Sequence, residues 1–256
     1  MGQNKRIAVL AGLLVIGILC LTGFNFYIAG QKNSDEQFGN QVRTYLLENP
    51  KIIREVIEEL GRVETAEKEQ QKNQAISMFR GELENDGFSY VAGNPEGDVT
   101  IVEFFDYRCG YCKQSFPDLM KTVEADGNIR LVLKEFPILG EESVLAARAA
   151  MAAQMQNKYM EFHTALMSSR GSPSMERLMG MAQSLGLDVE QFKTDIESLE
   201  ITNHLDNTYQ LASALNISGT PAFLIGGQFV GGAISPTQMT ALIEQARANP
   251  NTSATN

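Results

Sequence analysis

The chain has 256 residues, a formal net charge of −10 and 43% hydrophobic residues. That acidity argues against nucleic acid as a partner, because phosphate binding rests on clustered Lys and Arg. The three cysteines and two histidines include no second C-x-x-C and no H-x-x-x-H pair, so a four-ligand zinc centre has no pattern to stand on.

Taken in chain order, Lys5 and Arg6 precede an apolar stretch from Ile7 to Ala29. As a helix it would reach about 34 Å, enough for a hydrocarbon core of about 30 Å. Positive charge ahead of it predicts an N-terminus that stays inside and a remainder that is exported. Residues 1–30 are therefore expected to be a signal peptide or a signal anchor. Tyr27-Ile28-Ala29 puts a large residue where a small one is wanted for cleavage, which favours the anchor. Cys20 reads as an apolar membrane residue.

In residues 31–63, Phe38, Val42, Tyr45 and Leu46 fall at helical spacing, and Asn49-Pro50 looks like the N-cap and first position of a new helix. Ile53, Val56, Ile57 and Leu60 give that helix an apolar stripe. Two short helices cannot bury such stripes alone, so they must pack on the main domain or on another copy. Residues 64–87 are rich in Glu, Lys and Gln and predict a solvated helical linker.

From residue 88 the pattern changes. Asp86 to Val91 predicts an edge strand, Val99 to Phe105 a central strand, and Ile129 to Phe136 a second one. Between these strands lies Cys109-Gly110-Tyr111-Cys112, at the start of a helix that Pro117 should kink. This spacing brings two sulfurs within bonding distance, and a helix N-terminus stabilises a thiolate on the upstream one. The pattern points to thiol–disulfide exchange. A structural disulfide this short would close almost no loop.

Residues 141–215 are helical in pattern, with Ala146, Ala149, Ala150 and Ala153 allowing close packing and several methionines that read as core. His163 reads as a satisfied structural histidine, and His204, near Asp206, reads the same way. Phe223–Ile225 and Gln228–Val230 predict a hairpin through Gly226-Gly227, and Pro236–Ala248 a closing helix. Residues 250–256 form a polar tail.

Glu103-Phe104-Phe105, Cys109-Gly110-Tyr111-Cys112, Lys134-Glu135-Phe136-Pro137-Ile138-Leu139-Gly140 and Gly219-Thr220-Pro221 together resemble the DsbA family of periplasmic thiol–disulfide oxidoreductases, over residues 88–249. The resemblance implies an α/β thioredoxin fold carrying a helical insertion. It implies Cys109 as exposed nucleophile, Cys112 as resolving thiol, and Thr220 with a cis Pro221 as the substrate-binding loop facing them. Glu103 would be a buried carboxyl passing protons to Cys112, with Lys134 as its charge partner from the next strand. No metal or other cofactor is implied beyond the Cys109–Cys112 disulfide. Implied partners are exported cysteine-containing proteins and a membrane redox protein for recycling.

The Gly-Tyr between the cysteines departs from the Pro-His of the best-known oxidase and is the dipeptide of the dimeric isomerase, so strong oxidising power does not follow. N-terminal segments like residues 31–63 occur in the oligomeric ScsC-like and Com-like branches, which implies a homodimer or trimer. Two other classes stay open: a periplasmic protein holding Cu(I) through Cys109 and Cys112, since soft thiolates suit that ion, and a passive envelope protein.

Overall fold

The computed structural model describes residues 37–249. The expected signal or anchor of residues 1–30, Cys20 and the tail of residues 250–256 lie outside them. No helix among the described residues is long and apolar enough to cross a membrane.

The chain divides into two compact units, one up to Lys68 and one from Glu69 onward. In the first, α1 (residues 37–48) is followed by α2 (Pro50–Met78), which starts at the proline expected to open it. Phe38, Tyr45, Leu47, Val56 and Ile57 are each more than half exposed, so this apolar surface has no partner among the described residues. The sequence suggested a boundary near residue 63 and a solvated linker over 64–87. Instead α2 runs unbroken to Met78, and α3 (Arg80–Glu84) follows at once. Ile76 and Leu83 are buried, with Phe79 packed beside them. The polar composition of the stretch hides this sparse apolar stripe, whose spacing is helical.

The second unit is built on a five-stranded sheet in the order β1-β3-β2-β4-β5. Its strands are β1 (Tyr90–Gly93), β2 (Val99–Phe105), β3 (Ile129–Glu135), β4 (Ala222–Ile225) and β5 (Gln228–Gly231). β2 and β3 pair in parallel, joined by α4 (Gly110–Asp126), and the other pairs are antiparallel. β1 begins later than the sequence suggested. The Asp86 carboxylate accepts hydrogen bonds from the N–H groups of Phe88 and Ser89, and this turn holds the preceding residues out of the ladder. α4 continues through Pro117. The hairpin between β4 and β5 turns on Gly226 and Gly227, both at positive φ, where a side chain would be strained.

β2 and β3 are buried on both faces, as parallel central strands are. One face, carrying Ile101, Phe105, Leu131 and Leu133, packs against α4 and the helical insertion. The other, carrying Val102, Phe104 and Val132, packs against Ile76, Leu83 and Leu211. The insertion consists of α5 (Glu141–Met155), α6 (Tyr159–Ser168), α7 (Met175–Ser184), α8 (Val189–Ile196) and α9 (Leu199–Ala214). Ala146, Ala147, Ala149, Ala150, Ala152 and Ala153 of α5 are fully buried, so this helix is apolar nearly all round and runs through the interior. Met151 and Met167 are core residues, while Met155 and Met175 reach the surface.

The closing helix α10 (Pro236–Ala248) begins with a capping box between Ser235 and Gln238. Near its end Arg247 forks onto two carboxylates, with N···O distances of 2.8 Å to Asp98 and 2.6 Å to Asp126. It thereby ties α10 to the turn before β2 and to the end of α4.

Lys134 is 1% exposed and donates to Asp86 Oδ2 at 2.7 Å and to Glu82 O at 2.6 Å. Burial alone would raise the Asp86 carboxyl, but the Lys134 charge and hydrogen bond, with bonds from Ser89, hold it at about 2 instead of 3.8. A depressed carboxyl contributes stability above its unfolded pKa and loses it as pH falls from 3.8 toward 2. Asp86→Asn leaves the buried ammonium unpaired and is expected to cost about 3 kcal/mol at pH 7. The gap to wild type should narrow at pH 2–3. Urea midpoints at the two pH values measure both.

Candidate active site

The site is assembled by the loop that leaves β2. Phe105 ends the strand and Asp106 turns the chain. The buried Asp106 carboxylate accepts from Arg108 N at 2.6 Å, Ser143 Oγ at 2.8 Å and Leu139 N at 2.9 Å. Its own carbonyl accepts from Cys109 N at 3.1 Å. Arg108 answers by donating to Leu139 O at 2.6 Å and pairing with Glu142 at 3.1 Å. The segment after β3 is thus stitched to the segment after β2, and between them they fix where Cys109 begins α4.

Cys109 is the N-cap of α4, and its Sγ accepts from Cys112 N at 3.3 Å. Both cysteines are free thiols. Cys109 Sγ also lies 3.2 Å from Thr220 O, to which the thiol donates. The Thr220–Pro221 peptide bond is cis and leads directly into β4. Residues far apart in sequence therefore meet at one sulfur. The resemblance implied an exposed nucleophile, yet Cys109 is only 6% exposed and its neighbour Tyr111 is 67% exposed. Thr220 lies against the sulfur, and Tyr111 is the outward-facing residue.

The two thiols differ in acidity. A hydrogen bond from Cys112 lowers Cys109 to about 6; burial opposes this, while the Thr220 side chain and the N–H groups of Cys112 and Tyr111 add to it. Cys112 is pushed far up, because it gives its hydrogen to Cys109 and is buried. Cys109 is thus the sulfur that ionises first, giving up the hydrogen it offers Thr220 O, and Cys112 the one that keeps its proton, so one sulfur can attack while the other stays protonated.

Glu103 is fully buried beneath them, and neither of its carboxylate oxygens has a hydrogen-bond partner among the described residues. Burial first, and then the Cys109 charge, raise it to about 8. Lys134 does not meet Glu103. In the parallel register Glu103 stands opposite Leu133, and Lys134 opposite Phe104. Paired residues share a face and successive residues alternate, so Lys134 points to the opposite side of the sheet, where Asp86 is its partner.

The face beneath the thiols holds a second polar group that sequence reasoning passed over. Glu135 is buried and its Oε1 accepts from Tyr107 OH and Tyr159 OH, each at 2.8 Å. Tyr107 OH is also 2.8 Å from His163 Nδ1. The signal was present in the sequence as a carboxylate closing a strand, one residue after Lys134. His163 is only half satisfied, since its Nε2 has no partner among the described residues. His204 stacks on Phe88 and lies 3.7 Å from Asp86, not beside Asp206 as the sequence suggested. Among the described residues no group of three or more His, Cys, Asp or Glu could hold a metal ion.

Comparison with known proteins agrees with this geometry. Residues 100–244 match the family described as DSBA-like thioredoxin domain, and residues 36–67 match that described as copper resistance protein ScsC N-terminal domain. A putative protein-disulfide oxidoreductase of Rickettsia felis is 29% identical, over 74% of this chain and 73% of that protein. Other curated relatives are longer: the chain spans 25% of a Na(+)/H(+) antiporter NhaA 1 of Salinispora arenicola, at 29% identity over 62% of this chain. Nothing about ion transport follows from so partial a match. Among solved structures, a thioredoxin-like oxidoreductase from Silicibacter pomeroyi is 44% identical, with a TM-score of 0.64, covering 66% of this chain and 98% of that one. BcfH of Salmonella enterica Typhimurium is 26% identical with a TM-score of 0.69, covering 84% of this chain and 96% of that one. With more than half of its length under the first description, the chain belongs to the DSBA-like thioredoxin domain family.

Proposed function

We propose that the protein forms and rearranges disulfides in exported proteins of the periplasm, with Cys109 as nucleophile and Cys112 as resolving thiol. The observation that carries this reading is the asymmetry of the two sulfurs: a low-pKa Cys109 at a helix N-terminus against Thr220 O, and a buried Cys112 that keeps its proton. In the oxidising direction a substrate thiolate attacks Cys109 Sγ, the Cys109–Cys112 bond breaks, and Cys112 leaves carrying the electron pair. Its high proton affinity calls for a proton, and Glu103, raised to about 8, supplies it. A second substrate thiolate then attacks the mixed disulfide and leaves Cys109 reduced. Run backwards, Glu103 takes the Cys112 proton so that Cys112 can resolve a trapped substrate. The Thr220 carbonyl lies beside Cys109 Sγ, and the backbone there would pair with an extended substrate chain. A membrane redox partner restores the disulfide.

The balance between donating and rearranging disulfides follows from the thiolate. A Cys109 near 6 is closer to thioredoxin, about 7, than to the strongest oxidase, about 3.5. The less the thiolate is stabilised, the less oxidising the pair, which favours isomerisation. Association through α1 and α2 fits the same role. Their exposed apolar surface needs a partner, residues 36–67 match an ScsC N-terminal domain, and several copies joined there would hold several thiol pairs near one substrate.

Copper supplies a second reading, because the matched N-terminal family is described as a copper resistance protein and two thiolates suit Cu(I). Pro221→Ala separates the two: it should disturb substrate release and redox cycling but leave Cu(I) binding by Cys109 and Cys112 intact. A passive envelope role would survive Cys109→Ser unchanged.

Four sets of outcomes are expected. Cys109→Ser abolishes disulfide exchange, whereas Cys112→Ser accumulates mixed disulfides with substrates, visible as adducts by mass spectrometry. The rate of Cys109 alkylation rises with pH through a midpoint near 6, and glutathione titration places the reduction potential between about −120 and about −270 mV; a value at the upper limit would make the protein a pure oxidase. Glu103→Gln slows release from the mixed disulfide by about 10²-fold, read by quenched-flow. A chain beginning at Glu69 is expected to be monomeric by light scattering and to lose activity on scrambled disulfides while keeping thiol oxidation.

A further inference from the structure

The geometry points to a second buried proton carrier: Glu135, positioned by Tyr107 and Tyr159, shares with Glu103 the proton that is left over when the Cys109–Cys112 disulfide is reduced. The inference rests on the role given above to Glu103 and extends it to a residue outside the matched cysteine motif.

The sheet register makes the case first. Glu103 pairs with Leu133 and Phe105 with Glu135. Because alternate residues share a face, both carboxyls project to the thiol side as diagonal neighbours on adjacent parallel strands. Tyr159 links them: its hydroxyl donates to Glu135 Oε1 at 2.8 Å, and the charge on Glu103 acts on the same phenol. Glu135 is also tied to the cysteine loop, because Tyr107, two residues before Cys109, donates to the same oxygen. A phenol has one hydrogen. If Tyr107 gives it to Glu135, its bond with His163 must come from Nδ1–H, which is the tautomer of an imidazole that burial, lowering it to about 3, keeps neutral.

Glu135 Oε2 and His163 Nε2, like both oxygens of Glu103, have no hydrogen-bond partner among the described residues. Oε2 is where the carboxyl proton can sit without displacing either phenol. The titratable groups facing Glu135 are Glu103 on β2, Asp106 and Tyr107 in the loop after it, and Tyr159 and His163 on α6, with Tyr90 of β1 stacked on Tyr159. Lys134 and Asp86 lie on the other face. Burial raises Glu135 to about 8 against the pull of the two phenols, the range in which Glu103 also stands. Two raised acids thus stand on one face of the sheet, as diagonal neighbours.

The balance is as follows. A substrate dithiol loses two electrons and two protons as it becomes a disulfide. Both electrons go to the Cys109–Cys112 bond, which breaks. One proton goes to Cys112. Cys109, ionised above about 6, does not keep the other. That proton goes to a buried carboxylate if one is ionised, and otherwise to solvent.

The test is the equilibrium of the full chain with glutathione from pH 6 to 10, for wild type, Glu135→Gln, Glu103→Gln and the double variant. The amide keeps the oxygen that both phenols need. Between pH 7 and 9 the wild-type constant should change about threefold more than that of Glu135→Gln, the share of a carboxyl whose affinity moves by about half a unit on reduction. Redox-difference infrared spectra should show a carboxylic-acid band that appears on reduction, disappears in Glu135→Gln and shifts in Tyr159→Phe. A merely structural Glu135 would move neither readout. Superimposable pH curves for wild type and Glu135→Gln, or a band indifferent to both substitutions, overturn the proposal. If Glu103→Gln changes nothing while Glu135→Gln removes its share, the role of Glu103 fails and that of Glu135 stands.

Discussion

The parallel pairing of β2 with β3 is the constraint on which the site depends. It sets Glu103 against Leu133, Phe104 against Lys134 and Phe105 against Glu135, and so decides which side of the sheet each buried ionisable group must occupy. Beyond Thr100 and Arg130 both strands are buried on both faces, so a polar side chain there cannot escape to water. Each must find a partner or give up its charge. The thiol side received two acids that are pushed toward neutrality, and the far side received a lysine with an aspartate waiting for it.

This segregation accounts for the chemistry. Had Lys134 reached Glu103, the carboxyl would be held ionised and could not give Cys112 a proton at neutral pH. Without a cation, Glu103 sits near the point where it can give or take one. The same lack of compensating charge limits how far Cys109 can fall, since its thiolate shares a low-dielectric face with acids. Stability is drawn from the other side, where Lys134 and Asp86 join the end of the N-terminal helices to the sheet.

Much of this was legible in the residues. The cysteine spacing, the strand before it, Gly219-Thr220-Pro221 and the closing helix are short-range patterns with local causes, and the elements stand where those patterns put them. What escaped reading depended on facing. Strand alternation says that Glu103 and Lys134 are one step apart in pairing terms only once the register is known, and no local feature supplies the register. Glu135 looked like a strand-end charge because its partners, Tyr107 and Tyr159, come from a loop and from a helix in the insertion. The end of the linker was hidden differently: Ile76, Phe79 and Leu83 are too sparse among Glu, Lys and Gln to announce that they pack on the sheet.

The contact between Cys109 and Thr220 spans 111 residues. A chain that emerges N-terminus first presents its thiol pair long before the segment that covers it, and β2 meanwhile lacks β4 on its open edge. Until Thr220 arrives, the nascent protein carries a half-built nucleophile bare to every oxidant and every unfolded neighbour. Its own maturation is therefore a race between closing the sheet and being captured by the chemistry it will later perform.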